Sequence, residues 1–185
     1  HAIEIEPKDA WAHHAIAHVM LSEGRVVEGA KFMEEMAPRW EGLNSFMYSH
    51  NWWHLALFYI SMGQHDDVLA AYDTHVWGLE KNFAQDQIGA ASLLARMELA
   101  GIDVGDRWAD VADHIAQRGA DTTLPFLTMQ YLYALGRSDN PMADTLISAI
   151  KQKASAPGFD QEVWQNVALP ACEGLLAYTR RDFET

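Results

Sequence analysis

A chain of 185 residues with 49% hydrophobic content is long enough to bury a sizeable core, and nothing in its composition reads as disordered. Its 26 acidic against 13 basic side chains leave a formal net charge of -13, which repels a phosphate backbone and disfavours nucleic acid and anionic membrane surfaces as partners. The single Cys172 excludes an intramolecular disulfide framework, suits a small buried apolar position and points to a reducing, cytoplasmic compartment.

Apolar residues recur at helical intervals along the whole chain, and no alternating β-branched run competes with them. The opening HAIEIEP reads as the end of one helix followed by a break, and the first residue is His1, so the chain reads as a piece of a longer protein. Nine helices are predicted after it, over residues 8–23, 26–37, 44–62, 66–79, 83–100, 105–118, 122–135, 141–153 and 161–179. The breaks fall at APRWEGLN, RGADTT, GRSDNP and SAPGFD, where Gly, Pro, Asn and Asp accumulate; these are short connections and predict no domain boundary. The closing ArgArgAspPheGlu reads as the turn into a tenth helix. No secretory signal is visible, and apolar runs such as 55–60 and 90–95 fall well short of the ~20 residues that cross a bilayer.

Four segments repeat one plan of apolar helix, glycine, polar turn and second amphipathic helix. Their glycines, Gly24, Gly63, Gly101 and Gly136, stand 39, 38 and 35 residues apart, a loose period in the range of helical-hairpin solenoids. A glycine ending a helix supplies the left-handed conformation that lets the chain reverse. Hairpins of this length cannot bury their apolar faces alone and must stack on neighbours. The expected fold is therefore all-α, a tetratricopeptide-like right-handed superhelix of stacked antiparallel helix hairpins forming one divergent domain over residues 1–185. Ala2, Pro7, Ala17 and Gly24 match the tetratricopeptide pattern; the later repeats are longer and rich in Trp.

Three segments, DAWAHHAIAHVMLSEGRVVEGAKFM, HNWWHLALFYISMGQHDDVLAAYD and ASLLARMELAGIDVGDRW, cover about a third of the chain, and the closing LPACEGLLAYTRRDF adds to them. In this order they resemble the tetratricopeptide repeat protein 38 family. The resemblance implies that the chain is the C-terminal half of such a protein, and it implies a role for Asp9, Trp11, His14, His18, His50, Asn51, Trp52 and His54. It carries no established activity. One stretch departs from the family pattern: where an Asn-Asp-x-x-His-like run is expected before Gly136, the chain has LeuThrMetGlnTyr, so Thr128 and Gln130 replace an acid and an imidazole.

The chemistry-bearing constellation is a pair of histidine pairs, His14/His18 and His50/His54, each at an offset of four that puts both rings on one helix face. Counted back from the turn glycines, His14 and His54 share one level while His18 and His50 fall about a turn to either side, so parallel neighbouring helices would gather the imidazoles into a staggered diamond. Imidazole suits Zn, Cu, Ni or Fe, and Asp86 on the next first helix is the nearest carboxylate to join them. The residues between His14 and His18 are Ala15, Ile16 and Ala17, so the zinc-protease HisGluXxxXxxHis pattern is absent. The competing reading makes the four rings packing or ligand contacts beside Trp11, Trp52 and Trp53. His13, His65, His75 and His114 read as solvated or turn residues, Glu34 and Glu35 as a solvated helix face, and Ser92 lacks a nucleophile elbow.

Two functions follow. The first is a binding module whose concave face, with Asp9, Trp11, His14, His18, His50, Asn51, Trp53 and His54 as ligand contacts, takes a peptide or a small molecule without a cofactor. The second is a metal-binding protein or metal-dependent hydrolase with His14, His18, His50 and His54 as ligands to a divalent transition metal. Base rates for repeat scaffolds favour the first. An unfinished last hairpin would leave an end free to pair in a homodimer.

Overall fold

The computed structural model describes residues 2–183, and among these there is helix and turn but no strand. The helices group into two compact units, His1–Val104 and Gly105–Thr185, where the sequence predicts a single domain.

In the first unit a single turn, α1 (Ala2–Ile5), precedes α2 (Ala10–Ser22). Asp9 caps α2: its carboxylate accepts from the backbone N–H groups of Trp11 and Ala12. Gly24 reverses the chain into α3 (Val26–Met36), and Asn44 caps α4 (Ser45–Met62) by accepting from the Met47 N–H. Gly63, at φ 70°, ends α4 in the left-handed conformation, with open space around its α-carbon, so the backbone alone requires glycine there. After α5 (His65–Ala71) a five-residue π-helical segment, Tyr72–Val76, ends the predicted helix three residues early, and α6 (Ala84–Leu99) follows.

In this unit α2 packs on α3 and α4, and α4 packs on α5 and α6. The side-chain pairs between first helices rise together in number, with Trp11 against Phe46, His14 against His50 and His18 against His54. Ser49 against Asp86 and Trp53 against Ser92 continue the pattern. Pairs that rise together belong to parallel helices, and their separations of 35 to 39 residues are close to the spacing of the turn glycines. The core beneath is apolar, with Met33, Trp40, Leu55 and Phe58 fully buried. Gly29 lets α3 lie close on α4, since a Cβ there would fall 2.2 Å from Phe58 Cε1.

The second unit holds α7 (Arg107–Ala116), α8 (Pro125–Arg137), α9 (Met142–Ser155), a short α10 (Gln161–Val163) and α11 (Leu169–Thr179), with a π-helical segment at Trp164–Ala168 leading into the last. α8 packs against α7, α9 and α11, and Cys172 is buried on α11. Gly136 corrects the sequence reading, because it lies inside α8 and the left-handed residue of that turn is Asp139, at φ 51°. Gly136 serves contact instead: a Cβ on it would fall 2.4 Å from Thr179 Oγ1. Asp139 stands 38 residues after Gly101, so the left-handed residues that follow α2, α4, α6 and α8 recur at 39, 38 and 38. The expected tenth helix reaches Glu184, outside the described residues. No helix among the described residues is long and apolar enough to cross a membrane.

Candidate metal centre

Four imidazoles meet where α2 and α4 run side by side in the first unit. Ring centroids lie 4.5 Å apart for His14–His18, 4.9 Å for His14–His50, 4.6 Å for His14–His54, 4.5 Å for His18–His54 and 4.7 Å for His50–His54. His14 and His54 form the short diagonal of a rhombus, with His18 and His50 at its far corners. The Nε2 atom of His14 lies 3.0 Å from Nε2 of His50 and 3.1 Å from Nε2 of His18. One ring atom from each of His14, His50 and His54 can be chosen so that all three lie within 4.8 Å of one another.

Burial grades across the cluster. His18 is exposed, His14 and His50 are half-buried, and His54 is 2% exposed. His50 is stacked between Phe46 and Trp53, Trp53 meets His54 edge-on, and Trp11 meets His14 edge-on. Desolvation, followed by the His14 and His18 rings, pushes the His50 pKa down to about 4; desolvation, then His50, His14 and His18, pushes His54 down to about 2. Burial also lowers His14, with His18 second. The three rings are therefore neutral at pH 7, the form that offers a lone pair to a metal.

Both ring nitrogens of His54 are buried with no hydrogen-bond partner. A buried polar group in that state costs about 1–3 kcal/mol. A tetrahedral ion ~2.0–2.1 Å from imidazole nitrogens sets neighbouring ligand nitrogens about 3.3 Å apart. The 3.0 Å separation at His14 and His50 is on that scale, and a ring atom of His54 completes a set of three within 4.8 Å. No family model and no solved structure matches this chain.

The remaining predicted residues divide. Asp9 is occupied as the α2 cap, Trp11 is 59% exposed beside His14, and Trp53 lines the cluster while its indole N–H donates to Ser92 Oγ. Asn51 is fully buried on α4, and neither its amide nitrogen nor its carbonyl oxygen has a partner. Asp86 does not join the histidines: its Oδ1 accepts from Ser49 Oγ, and burial raises its carboxyl above the ordinary carboxylate range. Thr128 is buried in the second unit, donating its hydroxyl towards the Asp121 and Leu124 carbonyls.

Three aromatic positions read differently from the sequence. His13 is fully buried, with Nδ1 accepting from the Trp40 indole and Nε2 facing the Pro7 carbonyl. His75 is half-buried on the π-helical segment; it stacks on Trp52 at 3.6 Å and 7° and contacts the Tyr48 hydroxyl through Nδ1 at 2.5 Å. Trp52, expected beside the cluster, belongs to this second group. Both pairs join residues 27 apart, a separation that no local periodicity marks.

Proposed function

We propose that this chain is a tetratricopeptide-like helical-repeat protein, related to the tetratricopeptide repeat protein 38 family, whose first two repeats build a histidine-only centre for a divalent transition metal. The observation that carries the reading is His54, buried with two unpartnered ring nitrogens beside two more imidazoles whose nitrogens stand 3.0 Å apart. The 39, 38 and 38 recurrence of the left-handed residues after α2, α4, α6 and α8 and the parallel α2, α4 and α6 support the repeat assignment.

His14, His50 and His54 would hold such an ion and leave a place on it for water or a ligand. Zinc held by three imidazoles brings its bound water to a pKa of about 7, which supplies a nucleophile at neutral pH. His18, exposed at the edge of the cluster, is the remaining imidazole and would serve as a base. A metal-dependent hydrolase acting in the cytoplasm is the activity this arrangement serves. The binding-module reading and the metal reading share one face, because exposed Trp11 offers a ligand wall at the same cluster.

Calorimetric titration of tag-free protein with zinc tests the reading. One site per chain, lost in the His14→Ala/His54→Ala double variant and kept in His18→Ala, is the expected result. Equal zinc binding by the double variant would overturn it.

A further inference from the structure

The charge around the centre is unusual for so acidic a protein. Among the described residues the group that could hold an ion is His14, His50 and His54 with no carboxylate in it, so its ligands would not offset the charge of a divalent ion. Such a site keeps the ion's full double charge and favours an anion at the open position. One residue extends this field. The Arg96 guanidinium lies 5.0 Å over the ring of Trp53, the same indole that stacks on His50 at 5.7 Å and meets His54 at 5.0 Å. Arg96 is exposed and donates from Nη1 to the Ser92 carbonyl of its own helix; among the described residues no carboxylate pairs with it. In a chain with twice as many acidic as basic side chains, an arginine without an acidic partner, fixed by cation–π contact beside a histidine cluster, is placed to receive an anion.

We propose that the centre binds a small organic acid, with one end of the molecule on the metal's open position, its body along Trp53 and a carboxylate or phosphate group on Arg96. The inference rests on the metal reading of the same histidines. The guanidinium lies 5.0 Å and the His50 ring 5.7 Å from the same indole, so a ligand held at both reaches past one side chain, which asks for an acid with a body between its two ends. Arginine presents paired N–H donors that match either oxyanion.

The test uses cobalt(II)-loaded protein, whose visible absorption reports changes at the ion, with two probes at fixed ionic strength: acetohydroxamic acid, and succinic acid monohydroxamate, which carries the same metal-binding group and a terminal carboxylate. The wild-type protein is expected to bind the carboxylate probe about tenfold or more tightly than the plain one. Arg96→Gln is expected to take up cobalt normally and abolish the preference, and Arg96→Lys to restore part of it. The protein's overall negative charge opposes the carboxylate probe, so a general field cannot produce the preference. Equal affinity for the two probes in the wild-type protein, or an undiminished preference in Arg96→Gln, would overturn the organic-acid proposal and leave the metal centre standing. Failure of the wild-type protein to take up cobalt would overturn both.

Discussion

His54 is buried, neutral and without a hydrogen-bond partner, so in metal-free protein its ring is a cost of about 1–3 kcal/mol. Replacing it by Leu removes both nitrogens and keeps a side chain that fills the site. His54→Leu is therefore expected to leave metal-free protein as stable as the wild type or more so in urea, while ending metal uptake; a histidine serving packing alone would give the reverse. His75 supplies a pH test away from the cluster. Burial lowers its pKa below 6.5, so on acidification the unfolded chain takes up the proton first. Its contribution is fully present above pH 6.5 and declines as the pH falls from there towards the lowered folded value. His75→Phe keeps an aromatic ring against Trp52 and removes the titration, so the urea midpoint of the wild type should fall more between pH 7.5 and 5.5 than that of the variant. The sequence exposed the four cluster histidines because an offset of four is a local property of a helix. It hid His13 and His75, whose partners Trp40 and Tyr48 stand a full connection away and whose polarity alone reads as solvated.

At the scale of elements, the helices were legible from apolar periodicity and the turns from glycine, and the two failures have physical causes. Gly136 has the residue type of a helix-ending turn but serves the close approach of α8 and α11, whereas Asp139 takes the left-handed position that glycine usually fills. Gly136→Ala is expected to destabilise the second unit by about 1–3 kcal/mol through overpacking against Thr179. Asp139→Gly is expected to stabilise it by up to about 1 kcal/mol, because an L-residue pays a steric penalty at positive φ. Thermal unfolding of the two variants checks both signs. The π-helical segments at Tyr72–Val76 and Trp164–Ala168 insert one residue per turn without any compositional mark, which is why the predicted helices run through them.

For the whole molecule, the centre joins α2 to α4 within the first unit, so a bound ion stabilises that unit by mass action. Zinc at a thousandfold excess over its dissociation constant contributes about 4 kcal/mol. Scanning calorimetry is expected to show zinc raising the melting of the first unit, with no shift in the His14→Ala/His54→Ala variant. The repeat period was visible in the glycines, but its regularity was not until Asp139 replaced Gly136 in the count. The division into two compact units falls in the connection between α6 and α7, residues 100–106, which is longer than the turns after α2, α4 and α8 but carries no linker-like composition.

The metal content of tag-free protein, purified without a nickel column alongside the His14→Ala/His54→Ala variant, tests the central claim most directly. Near-stoichiometric transition metal in the wild type and none in the variant is the predicted result. A wild-type protein that neither carries metal nor takes it up on addition would contradict the account and leave the four histidines as packing.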